Sequence, residues 1–84
     1  MAKVIIYSKD NCAYCVWTKD LFDHKKVKYQ EIRVDLDPQK LNEMVTLSGG
    51  RRTTPQIFIN DKPIGGFDDL SQLETSGELD KLLK

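Results

Sequence analysis

Cysteine, histidine and net charge are all scarce in these 84 residues: there are two cysteines, one histidine, and 13 Lys and Arg against 13 Asp and Glu. With no net charge there is no global field to gather nucleic acid or an anionic membrane, so neither partner is expected. No long hydrophobic run is present either. The start, Met1 to Ile6, has too short an apolar run for a secretory signal or a membrane span, which leads to the expectation of a cytoplasmic protein in a reducing compartment. Two cysteines are too few for a disulfide scaffold, and a C-x-x-C bridge closes too small a loop to stabilise a fold much. No repeat, linker or low-complexity stretch divides the chain, so residues 1–84 read as one small domain, expected as a monomer with a shallow site.

Residues 3–8 are short, β-branched and nearly all apolar, as in a strand covered on both faces. Tyr14, Trp17, Thr18, Leu21 and Phe22 then recur at helical spacing, which predicts a helix to about Lys25, with Asp10 or Asn11 as cap and with Trp17 and Phe22 in the core. Val27 to Val34 reads as a strand. Asp37-Pro38 opens a second helix, whose buried stripe is Leu41, Met44 and Val45 and whose end is Gly49-Gly50. Residues 55–59 and 62–65 flank Asn60-Asp61 as a β-hairpin, with Pro63 suited to an edge. Asp68 or Asp69 is expected to cap a helix ending at Gly77, and a short final helix carries Leu79, Leu82 and Leu83. The order β-α-β-α-β-β-α implies an α/β, thioredoxin-like fold, a mixed four-stranded sheet flanked by helices.

Cys12-Ala13-Tyr14-Cys15 falls in the turn after the first strand, at a predicted helix start. Unpaired amides of a first helical turn and the helix dipole favour thiolate over thiol, and the thiolate is the nucleophile of disulfide exchange. Alternatives for the pair are two inert apolar side chains or half a metal site. Zinc would need two further ligands, and among its soft or nitrogen donors only His24 remains. His24 itself, near the end of the first helix on its polar side, is read as solvated.

Three segments in order, Tyr7-Ser8-Lys9 leading to Cys12-Ala13-Tyr14-Cys15, Arg52 to Ile59, and Ile64-Gly65-Gly66-Phe67-Asp68-Asp69-Leu70, resemble a small dithiol glutaredoxin over nearly the whole chain. The resemblance implies a glutathione-dependent thiol-disulfide oxidoreductase that reduces protein disulfides and glutathione mixed disulfides, with glutathione as co-substrate. Cys12 is the expected nucleophile at the helix tip, where amides of Tyr14 and Cys15 can point at its sulfur, and Cys15 the expected resolver. The implied glutathione site comprises Lys9, Tyr14, Arg52, Thr53, Thr54, Pro55, Gly66, Phe67, Asp68 and Asp69. Within it, Pro55 resembles the family's cis-proline, and amides of Phe67 and Asp68 would take the γ-glutamyl carboxylate. Lys9 and Arg51 or Arg52 would meet the glycine carboxylate, and Tyr14 serves either the groove or the core.

Two departures stand out. Thr54 replaces the usual Val, a change expected to matter little because the family contact uses backbone atoms, and Ala13 replaces the commonest Pro. A small residue there also admits a [2Fe-2S] cluster shared between two subunits. The rival readings are a reductant of ribonucleotide reductase served by thioredoxin reductase, against which the Gly65 to Asp69 segment argues, and a non-catalytic metal or cluster carrier, against which the short supply of ligands argues.

Overall fold

The computed structural model describes residues 2–84. Eight elements follow in order: β1 (Val4–Ser8), α1 (Ala13–His24), β2 (Gln30–Arg33), α2 (Pro38–Leu47), β3 (Gln56–Ile59), β4 (Lys62–Gly65), α3 (Phe67–Ser76) and α4 (Glu78–Leu82). The sheet runs β2-β1-β3-β4. β1 pairs parallel with β2, antiparallel β3 lies on its other side, and β4 returns antiparallel at the edge. This is the thioredoxin-like arrangement expected from the element order.

Alternation along β1 and β3 divides the core in two, because successive strand side chains point to opposite faces. Val4, Ile6, Ile57 and Ile59 meet Phe22, Leu70 and Leu79 of α1, α3 and α4 on one face. On the other, Tyr7 and Phe58 meet Met44 of α2 and Val34, and the Tyr7 and Phe58 rings stand edge to face at 5.5 Å. The Tyr7 hydroxyl donates to the Glu43 carboxylate at 2.6 Å, satisfying the one polar atom that this ring carries inward.

Local chemistry accounts for the element ends. Asp37 caps α2 by accepting from the Gln39 amide at 2.9 Å, with Pro38 at the first helical position. Asn60 and Asp61 both adopt positive φ, the geometry of a two-residue hairpin turn. The strand expected at residues 27–34 is shorter. Lys26 takes a left-handed conformation, and the amides of Lys26 and Val27 turn back to the carbonyls of Asp23 and Phe22, closing α1 with a Schellman-type motif. Val27 is thus spent on the helix, and pairing with β1 begins only at Gln30.

Two cap assignments also change. Cys12, not Asp10 or Asn11, is the N-cap of α1, and Gly66, not Asp68 or Asp69, is the N-cap of α3. In both places the cap falls where the chain leaves extended geometry, whichever side chain stands there. Trp17 is not in the core: it is 51% exposed, while Cys15, Thr18 and Phe22 form the buried stripe of α1.

Candidate active site

The turn from β1 into α1 delivers Cys12 to the end of the sheet, beside the segment that enters β3. Cys12 is half-buried and Cys15, one helical turn on, is 1% exposed. Their sulfurs are joined in a disulfide. Cys12 Sγ accepts the Cys15 backbone amide at 3.2 Å, which makes the sulfur itself the cap of the helix. The first turn of α1 contains no acidic residue, so nothing there opposes negative charge on that sulfur.

The Thr54–Pro55 peptide bond is cis. This segment faces the cysteine directly: the Thr54 hydroxyl lies 3.6 Å from Cys12 Sγ and the Thr54 carbonyl oxygen 3.7 Å. A groove of about 480 Å³ continues from there, lined by Tyr14, Arg51, Thr53, Thr54, Pro55, Gly66, Phe67, Asp68 and Asp69. It therefore gathers eight of the ten residues named above for the glutathione site. Arg52 is exposed and does not line it; the neighbouring Arg51 does. Lys9 lies elsewhere, in a second cleft with Cys12, Cys15, Lys19, Glu31 and Arg33.

The start of α3 forms the far wall. Asp69 Oδ2 accepts the Gly66 amide at 3.0 Å and pairs with Arg51 at 3.4 Å, supplying from the third helical position the one half of a capping box that a glycine N-cap allows. Asp68 is exposed, with its side chain at the mouth of the groove. Three aromatic rings extend this wall toward α1: Tyr14 lies 5.1 Å from Trp17 and 5.9 Å from Phe67, and Trp17 lies 5.8 Å from Phe67. Sequence reasoning placed Tyr14 and Phe67 there and missed Trp17. The missed signal was the i, i+3 spacing of Tyr14 and Trp17, which puts both rings on one side of the helix.

Electrostatics of the second cleft are set by Glu31. Its carboxylate accepts from the buried Ser8 hydroxyl at 2.6 Å and from Lys19 at 3.0 Å, and these contacts, the Ser8 bond first, hold it below the usual carboxylate range. Below it, Asp35 receives two hydrogen bonds from Arg33, at 2.8 and 2.6 Å, and the Asp10 backbone amide at 3.2 Å. The Arg33 contact dominates in lowering the Asp35 pKa from 3.8 to about 2. Among the described residues, no group of three or more His, Cys, Asp or Glu side chains is placed to hold a metal ion. No helix among them is long and apolar enough to cross a membrane.

The glutaredoxin family profile matches residues 4–64. Glutaredoxin 3 of Escherichia coli strain K12 is 49% identical over 84 residues, covering all of both chains. Glutaredoxin 1 of Rickettsia prowazekii is 46% identical over 82 residues, 96% of this chain and 86% of that one. Among solved structures, a glutaredoxin from Brucella melitensis superposes with a TM-score of 0.86 at 45% identity, over all of this chain and 90% of the other. A buckwheat glutaredoxin-glutathione complex superposes with a TM-score of 0.88 at 32% identity, over 98% and 76%. A C-x-x-C cysteine pair at a helix start, a cis-proline segment opposite it and matches spanning the chain agree: the protein belongs to the glutaredoxin family, the thiol-disulfide oxidoreductases.

Proposed function

We propose that the protein is a glutathione-dependent oxidoreductase acting on glutathione mixed disulfides and protein disulfides. One observation supports this above the rest: the groove that begins at Thr54, against Cys12 Sγ, runs to the start of α3 past a cation. Glutathione carries a thiol at its centre, a carboxylate at one end and an ammonium group beside a carboxylate at the other. In the groove its sulfur would face Cys12, its backbone would lie along Thr54, and its glycine carboxylate would meet Arg51. The α-carboxylate of its γ-glutamyl end would meet the free amides of the first turn of α3, and its ammonium group Asp68. The similar buckwheat protein was solved in complex with glutathione.

In the reaction so proposed, the Cys12 thiolate attacks the glutathione sulfur of a mixed disulfide. The S–S bond to the substrate protein breaks, and that protein leaves as a thiolate and takes up a proton. A second glutathione thiolate then attacks the sulfur now bound to Cys12, releasing oxidised glutathione and the Cys12 thiolate. With a protein disulfide, Cys12 forms a mixed disulfide with one substrate sulfur and Cys15 attacks Cys12 Sγ, freeing the reduced substrate and forming the Cys12–Cys15 disulfide. Two further glutathione molecules reopen that bond. Burial keeps Cys15 from reacting first with an outside disulfide.

The test is reduction of a small glutathione mixed disulfide coupled to glutathione reductase, for the parent, Cys12→Ser and Cys15→Ser. The expected outcome is loss of at least about a thousandfold in kcat/KM with Cys12→Ser, in the range seen when a covalent nucleophile is removed. Cys15→Ser is expected to keep a large share of the rate. Activity surviving in Cys12→Ser overturns the roles, and a rate that glutathione does not sustain overturns the co-substrate.

A further inference from the structure

We propose that the Thr54 side-chain hydroxyl is a catalytic group, a hydrogen-bond donor that stabilises the Cys12 sulfur as it becomes negative. Two donors converge on that sulfur, the Cys15 amide at 3.2 Å and the Thr54 hydroxyl at 3.6 Å. The hydroxyl reaches it from outside the helix, from the strand-side segment that also forms the groove wall. A bond to a charged acceptor is stronger than one to a neutral acceptor, so the same hydroxyl holds thiolate more firmly than disulfide sulfur. It thereby favours the reduced, reactive form.

The Thr54 carbonyl oxygen, 3.7 Å from the same sulfur, acts in the opposite sense: it accepts from a protonated thiol and repels a thiolate. One residue thus presents a donor and an acceptor to one sulfur. A valine at this position keeps the carbonyl and the shape and removes the donor alone, which leaves the acceptor unopposed. The other charged or titratable groups lining the cleft with Cys12 are Lys9, Asp10, Cys15, Lys19, Glu31 and Arg33; on the groove side they are Tyr14, Arg51, Asp68 and Asp69. None of them changes in such a variant, so the difference from the parent isolates the hydroxyl.

This inference rests on Cys12 being the attacking thiol, and the experiment separates the two. In the full reduced chain, the rate of iodoacetamide alkylation at Cys12 is followed against pH for the parent, Thr54→Val and Thr54→Ser. The dithiol–disulfide potential of each is read by equilibration with glutathione buffers. Removal of one charge-assisted bond, discounted for sulfur's weakness as an acceptor, is expected to reduce the thiolate equilibrium roughly tenfold, a rise of about one pH unit in the alkylation midpoint. The same tenfold loss moves the potential about 30 mV more negative. Thr54→Ser, which restores the hydroxyl, is expected to follow the parent in both. A Val variant indistinguishable from the parent overturns the proposal, and so does a Ser variant that behaves like Val. An ordinary, unactivated midpoint at Cys12 in the parent itself would instead sink the assignment of the nucleophile.

Discussion

Two helices begin at the same end of the molecule, and they treat their free amides in opposite ways. α1 leaves its first turn without an acidic side chain and lets a sulfur atom cap it, whereas α3 carries Asp68 and Asp69 in its first turn and folds one of them back on its own start. The Asp69 carboxylate accepts the Gly66 amide and pairs with Arg51, so a negative charge is already in place at that helix tip. At the start of α1, among the described residues, the side-chain atom that accepts an amide is Cys12 Sγ. One backbone device therefore serves two ends: at α1 a sulfur atom takes the free amide, and at α3 one carboxylate fixes the Gly66 amide while the amides of the first turn that follow it stay open to the groove.

The largest effect is expected from breaking the start that Asp69 braces. Gly65 sits at φ +113°, a conformation that side-chain-bearing residues rarely adopt, and a Cβ there would overlap the Asp69 carboxylate and the Arg51 guanidinium. Both are the far ends of flexible side chains and can move, but if Asp69 moves it abandons the Gly66 amide. Gly65→Ala should then cost about 1–3 kcal/mol in backbone strain and about 1 kcal/mol in lost capping. The urea midpoint should fall accordingly, and turnover of a glutathione mixed disulfide should slow through KM, since the groove wall shifts. A midpoint within experimental error of the parent would show that the turn at Gly65 has no such constraint.

A smaller effect should follow from making α1 resemble α3. Ala13 is the first residue of α1, and Ala13→Asp puts a carboxylate where there is now none. A single charge at a helix terminus is worth about 0.3–1 kcal/mol, which corresponds to a roughly two- to fivefold smaller thiolate fraction at Cys12 below its midpoint. Alkylation at constant pH should slow by that factor, and added salt should recover part of the rate because the effect is screened. An unchanged rate would mean that the helix field contributes little at this sulfur and that direct hydrogen bonds set its reactivity.

The two starts were unequally legible in the sequence. The Cys12-Ala13-Tyr14-Cys15 spacing and its place after an apolar strand located the reactive pair, and Asp37-Pro38 and Asn60-Asp61 marked a helix start and a hairpin, because each depends on local backbone chemistry. The caps at Cys12 and Gly66 were not legible, since residue preference points to the aspartates and asparagine nearby while the chain path decides where a helix begins. Trp17 was misplaced for a related reason. Periodicity finds an apolar stripe but not its phase against the sheet, and on α1 the small side chains Cys15 and Thr18 fit beneath, turning the larger rings of Tyr14 and Trp17 outward. Thr18 can be buried because its hydroxyl donates to the Tyr14 carbonyl at 2.8 Å. The Thr54 hydroxyl was dismissed because only its backbone was considered; its approach to Cys12 joins residues 42 apart and exists only in the fold.

The smallest effect concerns how each start is braced. α3 is held by its own Asp69, but the turn leading into α1 is held from outside, by Asp35 accepting the Asp10 amide while Arg33 grips both of its oxygens. Asp35 has its pKa lowered from 3.8 to about 2, chiefly by Arg33. A carboxylate whose pKa is lower folded than unfolded stabilises the fold fully above the unfolded value, and that contribution disappears as pH falls from about 4 to about 2. Arg33→Gln removes the main cause, so the variant should be slightly less stable than the parent at pH 7 and the two should converge as pH approaches 2. Glu31 is also held low, first by its Ser8 hydrogen bond and by Lys19, with Arg33 the last of its causes, so most of its acid-dependent loss is common to both proteins. Melting temperature against pH for the pair checks this, and exchange of the Asp10 amide localises it: protection should fall in the variant at neutral pH. A constant gap down to pH 2 would mean that Arg33 stabilises the molecule by something other than its hold on Asp35, and that the start of α1 stands without an external brace.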